Sequence, residues 1–468
     1  MGKHLLRYIS AFGIGLYLIA LITISLVFKT HVLPTKWIVW GVSEVLFFFV
    51  LISVFYPRWK NDDPKQFWRK VFWVAFIIRV VYVIFSYYYY NFHTGFPFEK
   101  PGDEVGCYYR SLYLSKQLRE GNFTVVTDFL NKYTMGFSDQ GYQIWLTLIH
   151  TLFGPSLLLD RFLKALMSAY LCIVVYKLSS RTLGERTGRL AAVMCVFMPI
   201  LIQITGTHTK ETEMIFLSIL ALERMDYLVR SKKYTFWNIL FPILLTALVF
   251  GFRTVVGMCL VFAFLVFIIL SPKELVNRKG KIITLSVTGV VLLLFLFTSI
   301  GSEMKIYYKL NFSGSDYLSK KYESMGLEYH EMAQSKYLYP GAFVLPLPPM
   351  VKEAPIHNKR WNGSMYVKSF LGFFAMLGIV VAFRQKKWRD FSLIGAYELA
   401  YLGIVMSTFT ANSERYHEPA IPLLLVMTAY AMTHLKRKDM IYFYAYCGVL
   451  LVALFAWNWL KLASRGLV

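Results

Sequence analysis

Charge is the first thing this chain is short of. Of its 468 residues only 16% are charged while 57% are hydrophobic, and the mean hydropathy is positive. A soluble domain carries about 25% charged residues, so that class is excluded and a polytopic membrane protein is indicated. Cysteine is scarce as well. The five are scattered (Cys107, Cys172, Cys195, Cys259, Cys447), with no C-x-x-C pair, which excludes a disulfide framework and a zinc signature. Acidic residues are few, 27 against 50 Lys plus Arg, for a net charge of +23. In a soluble chain that balance would point to nucleic acid. Here membrane orientation and anionic headgroups account for it, and nucleic acid is not expected as a partner. No internal repeat, low-complexity linker or small-x-small cleavage site is visible, so the run after Lys3 and Arg7 reads as a retained first span.

What is abundant is apolar sequence in membrane-length windows. Crossing roughly 30 Å of hydrocarbon takes about 20 residues, and such windows fall near 9–28, 38–56, 71–90, 155–177, 188–206, 210–230, 236–251, 254–271, 281–300, 363–383, 391–409, 419–435 and 440–461. The expected fold is an all-α polytopic membrane protein of about 13 transmembrane helices with two external elaborations. Its parts are N-terminal transmembrane helices over 1–90, a first external loop with an interfacial helix over 91–154, and a transmembrane core over 155–300. A second external loop over 301–362 and C-terminal transmembrane helices over 363–468 complete it. Lys and Arg concentrate in one alternating set of loops, and the positive-inside rule puts that set in the cytoplasm. Both long loops then face away from the cytoplasm, as do the turns 207–211, 251–254 and 410–419. Tyr87 to Tyr90, Trp457 and Trp459 suit an interfacial aromatic belt. Sequons occur at Asn122, Asn311 and Asn362. The stretch 339–350 is too Pro-rich for a helix and too apolar for a free linker; it is expected at the membrane surface or folded back over a cavity.

Candidate chemistry collects on the outer side. Asp103 and Glu104 head a segment that ends at Gly121, with Asp103 as N-cap and Cys107, Ser111, Leu114 and Leu118 on one face. Such a helix can lie flat at an interface. The bland reading of Asp103 is a cap; the functional one is a general base for an attacking hydroxyl, worth about 10²–10⁴-fold. The turn THTKETEM places Lys210, Glu211 and Glu213 between two spans. A solvated hairpin would explain them, but so many charges beside the bilayer are costly, which favours a polar cavity. Arg253 in GFRT, Arg415 beside Tyr416 and His417, and Arg161 and Lys164 near Asp160 are cations expected on the same side. Singly they would snorkel to headgroups. Converging, they would suit a phosphate or pyrophosphate. Farther in, Glu44 and Arg79 are placed to pair across neighbouring spans, and Glu398 lies alone.

On GDEVGCYYRSLYLSKQLREGN (102–122), residues 141–184, MPILIQITGTHTKETEMIFL (198–217), GFRT (251–254) and ERYHEPAIPLL (414–424), the chain resembles the GT-C superfamily of integral membrane glycosyltransferases, the aminoarabinose transferase and protein mannosyltransferase type (family 39-like). The resemblance implies transfer of a sugar from a polyprenyl-phosphate donor to a lipid, glycan or protein acceptor in cell envelope glycan assembly. It places the protein among membrane lipids of a bacterial inner (cytoplasmic) membrane, active site outward. Asp103 matches the family's first-loop acidic residue, the general base of an inverting displacement, with Glu104 beside it. Glu211, less closely Glu213, matches a second acidic position where the family commonly has Asp. Arg253 and Arg415 match positions that meet the donor phosphate, and Lys210 and Arg161 join them as candidates. Tyr416, His417 and Lys164 are further candidates. Some members hold a divalent metal near the first-loop carboxylate and others do not; no Asp-x-Asp here demands one, so no cofactor is assigned. Two other classes compete. An O-antigen-like polymerase or ligase would keep its essential groups in 301–362, and a lipid-linked sugar flippase should show repeated halves and a midplane site.

Overall fold

The computed structural model describes all residues except 1–2, 100–101, 134–139, 296, 298–300, 302–340, 355–358 and 408–412. The sequon at Asn311, most of the second expected loop and the start of the 410–419 turn lie outside the described residues. The described chain is helical. In order it forms α1 (Lys3–Val27), α2 (Thr35–Trp59), α3 (Pro64–Thr94), α4 (Asp103–Arg119), α5 (Phe123–Tyr133), α6 (Gln140–Phe153), α7 (Leu157–Leu183), α8 (Glu185–Phe197) and α9 (Pro199–Gln203). Then come α10 (Glu211–Ser231), α11 (Phe236–Phe252), α12 (Thr254–Leu270), α13 (Arg278–Phe295), α14 (Asn362–Arg384), α15 (Ser392–Ser407), α16 (Ile421–Thr433) and α17 (Asp439–Ala463). The one β-type pairing among the described residues is an isolated bridge between Val32 and Val351.

The expectation of about 13 spans is corrected. Among the described residues five helices are long and apolar enough to cross a membrane: Leu5–Val27, Thr35–Trp59, Pro64–Thr94, Asn362–Arg384 and Asp439–Ala463. Counting α8 and the α9 segment to Gly206 as one broken span, bent by 55°, makes six. The reason is length and charge. Helices α11 and α12 have 17 residues each, α15 has 16 and α16 has 13. In α7 and α10 the apolar run is interrupted by Asp160, Arg161, Lys164, Glu211, Glu213, Glu223 and Asp226. A sliding apolar window passes over such interruptions when neighbouring residues are hydrophobic enough.

Local punctuation follows ordinary rules. The Asp63 carboxylate accepts the Lys65 N–H at 3.0 Å and Pro64 fills the first turn of α3, which ends at Gly95 with φ +74°. Pro199 has no N–H to continue α8, so the chain bends after Met198, which is extended, and restarts as α9. That bend delivers the turn 207–210 to the head of α10.

The core lies around α8, α14 and α16, whose side chains are buried over most of their length. Close approach needs small residues. A Cβ on Gly378 would sit 2.5 Å from the Met427 carbonyl oxygen, so glycine lets α14 press on α16. Glu44 and Arg79, expected to pair, do not. The Glu44 carboxylate accepts from Trp40 Nε1, Gln203 and the Ser364 N–H, while Arg79 donates to Ser168 Oγ and to the Val196 and Cys195 carbonyls freed by the α8 bend. Unsatisfied backbone at a helix break outcompetes a distant carboxylate. Residues 341–350 fold back on the helices: Ser369 Oγ donates to Val344 O, and Asn458 Oδ1 accepts the Met350 N–H at 2.6 Å. Asn362, a sequon residue, is fully buried at the head of α14.

Candidate active site

Helix α4 carries the first carboxylates. Its N-cap is Gly102 and Asp103 is the first helical residue, so the expected placing of Asp103 at the cap is corrected. What takes its side chain is a partner 312 residues away: Arg415 Nη1 donates to Asp103 Oδ2 at 2.8 Å. The same guanidinium, through Nε, holds Glu211 Oε1 at the head of α10. Two carboxylates that begin different helices are thus joined by one cation from the short 3₁₀ turn Glu414–Tyr416. Both also face the positive N-terminal ends of their helices. Their surroundings differ sharply: the Glu211 side chain is 1% exposed and that of Asp103 is 69% exposed.

Two more cations gather at this point. Arg253 joins α11 to α12 in extended conformation, lies 4.6 Å from the Tyr416 ring centroid, and keeps a buried Nη1 with no hydrogen-bond partner among the described residues. Lys210 donates to the Phe252 carbonyl at 3.0 Å, one residue before Arg253. Burial, and next the charge on Arg253, push the Lys210 ammonium down to about 7. The facing carboxylates, Glu211 foremost, hold the Arg415 proton more firmly than usual. The arrangement is a cluster of cations, called the hollow below for the place a ligand would take, with a donor that an incoming phosphate oxygen would satisfy.

Behind this hollow lies a second layer that fixes it. Glu104 is fully buried; its Oε2 accepts the His208 N–H at 2.8 Å and lies 3.9 Å from Arg161 Nη2. Arg161 also donates to the Pro97 carbonyl. Lys164 donates to the Thr207 and Thr209 carbonyls and sits 3.5 Å from Glu213 Oε2. These three candidates brace the 207–210 turn from α4 and α7 and do not open onto Arg415. His417 is drawn elsewhere, 3.0 Å from Lys368 Nζ of α14.

Sequence reasoning missed His150 and His208. His150 bridges Ser111 of α4, at 3.0 Å, to Asp160 of α7, at 2.9 Å, and His208 Nε2 is 4.0 Å from the same Asp160 oxygen. Burial, then Lys164 and Arg161, hold His208 well below its ordinary pKa, so it is neutral. The signals available were His150, a lone histidine in the apolar run 146–153 ahead of the acidic start of α7, and His208 in the polar turn just before the acidic start of α10.

Among the described residues no group of three or more His, Cys, Asp or Glu side chains is placed to hold a metal. The donor set is also wrong for one. The two carboxylates nearest the hollow share a guanidinium, and the remaining groups there are cations. A divalent ion does not fit these residues as they stand.

The profile of the dolichyl-phosphate-mannose-protein mannosyltransferase family matches residues 142–300, about a third of the chain. That segment contains Arg161, Lys164, Lys210, Glu211, Glu213 and Arg253. No curated protein matches. Among solved structures the chain is similar to the archaeal oligosaccharyltransferase AglB from Archaeoglobus fulgidus in complex with an inhibitory peptide and a dolichol-phosphate, with 15% identity, a TM-score of 0.44, and coverage of 85% of this chain and 54% of that one. It is also similar to the Archaeoglobus fulgidus oligosaccharyltransferase tethered with an acceptor peptide containing the NVT sequon, with 16% identity, a TM-score of 0.45, and coverage of 84% and 54%. The chain spans about half the length of these structures.

The bracing role of Glu104 is testable apart from activity. Glu104→Ala removes the acceptor of the His208 N–H and should cost about 1–3 kcal/mol, seen as faster amide hydrogen exchange in the peptide covering 204–210. Glu104→Gln keeps an acceptor oxygen and should leave exchange there close to wild type. Equal acceleration in both would mean that the charge on Arg161, not the hydrogen bond, sets the turn.

Proposed function

We propose that this protein is an integral membrane glycosyltransferase that moves a sugar from a polyprenyl-phosphate donor to an acceptor hydroxyl, with its site on the non-cytoplasmic face. In this reading 91–154 and 301–362 lie on that face. One observation carries the proposal. Arg415 meets Asp103 and Glu211 at once, with Lys210 and Arg253 adjoining, so that one exposed carboxylate borders a group of cations. The family match over 142–300, which takes in Lys210, Glu211 and Arg253, supports the same chemistry.

The chemistry balances. The acceptor oxygen attacks the anomeric carbon while its proton passes to the Asp103 carboxylate. The bond from that carbon to the phosphate oxygen breaks, and its electron pair leaves with the phosphate. Negative charge then grows on an oxygen facing Arg415, Arg253 and Lys210, and preorganised cations stabilise it. Attack opposite the leaving group inverts the anomeric centre. Glu211 receives no proton in this scheme; buried beneath Arg415, it aims the guanidinium.

Asp103→Asn should lower transfer by about 10²–10⁴-fold with unchanged abundance in the membrane, measured with a radiolabelled polyprenyl-phosphate sugar. Activity near wild type in that variant would remove Asp103 from the mechanism. Lys210 gives a pH signature. Its ammonium is held down to about 7 in the free protein, and a bound phosphate raises it, so binding takes up a proton above that pH. Donor affinity should fall about tenfold per pH unit above 7, and Lys210→Arg should flatten the slope. A wild-type affinity independent of pH between 7 and 9 would place Lys210 away from the phosphate.

A further inference from the structure

The two carboxylates on Arg415 are not equivalent. Glu211 is almost wholly buried, and besides Arg415 it has the Thr209 side chain and the Lys210 ammonium beside it. The Asp103 side chain is largely exposed, and among the described residues its hydrogen-bond partner is Arg415. One end of the guanidinium is anchored and the other is held by a group that water and solutes can reach.

Geometry adds a constraint. In an inverting displacement the acceptor and the leaving phosphate lie on opposite sides of the anomeric carbon. A carboxylate that serves the acceptor cannot stay hydrogen-bonded to the guanidinium that serves the phosphate. Asp103 has to leave Arg415 before it can take a proton.

We infer that Asp103 is a placeholder for the donor: in the empty site it occupies the Arg415 Nη1 position that a donor phosphate oxygen takes over, and its displacement by that phosphate frees it as the base. This rests on the glycosyltransferase reading. The exchange is between two anions at one cation, with Glu211 retaining the Nε end throughout. It makes binding ordered, donor before acceptor, and keeps the base occupied when no sugar is present to receive an attack. The exposure of Asp103 keeps the exchange shallow, since a solvent-accessible ion pair contributes at most about 1 kcal/mol.

The test is calorimetric titration of the detergent-solubilised full chain with farnesyl phosphate, a lipid phosphate with no sugar to transfer. Asp103→Asn should bind it up to about fivefold tighter than wild type, the equivalent of the pair that no longer competes. Arg415→Ala should bind it more weakly, and adding Asp103→Asn to Arg415→Ala should bring no further gain, because no shared cation remains to contest. A gain of the same size in the Arg415→Ala background would mean simple repulsion between Asp103 and the phosphate and would overturn the placeholder role. So would unchanged or weaker binding by Asp103→Asn. Failure of every variant to bind farnesyl phosphate would instead remove the lipid-phosphate donor itself. Unfolding temperatures of the variants, with Asp103 exposed in the wild type, separate lost binding from lost fold.

Discussion

One guanidinium holds this site together. Arg415, in a short turn ahead of α16, reaches Asp103 at the start of α4 and Glu211 at the start of α10. Removing it would leave Glu211 as a buried carboxylate with only the Thr209 side chain and Lys210 beside it, and breaking a buried ion pair by removing one partner costs about 3–5 kcal/mol. The sequence separation of these residues, 312 and 204 positions, means that no local rule sets the contact. It forms because α7, α8 and the bend at Pro199 present the 207–210 turn to α4, and because Gly378 lets α14 close on α16.

The layer behind the hollow explains why so many charges are tolerated there. Each buried ion has a named partner: Glu104 has the His208 N–H and Arg161, Lys164 has Glu213 and two carbonyls, and Asp160 has His150. Buried charge is stable when paired and hydrogen-bonded. The consequence is a division of labour. Inner groups fix the backbone of the turn and of α4, while Asp103, Lys210, Arg253 and Arg415 are left facing the hollow.

Parts of this were legible in the residues and parts were not. The helical segment from Asp103 to Arg119 could be read from its acidic start, basic end and Gly121, and the meeting of Asp103, Glu211 and Arg415 was foreseeable as charges that a membrane would force together. Pairing identities were not. Arg79 answers to carbonyls exposed by a helix break rather than to Glu44, and His417 turns to Lys368, because partner choice depends on a packing that hydropathy does not encode. The number of spans was overestimated for a related reason. Windows over α7 and α10 are apolar on average, yet their charged residues are what fastens the site. His208 escaped notice because its backbone N–H, not its ring, makes the contact with Glu104.

The central claim is spatial: Asp103 and Arg415 touch. Replacing both with cysteine, in a chain whose five native cysteines are serine, and treating membranes with a short thiol-to-thiol cross-linker tests it directly by mass spectrometry of the joined peptides. The account predicts efficient cross-linking of 103 to 415, and none of 415 to a cysteine placed at Glu120, just past the far end of α4. Absence of the 103–415 product, with both cysteines reactive singly, would contradict it.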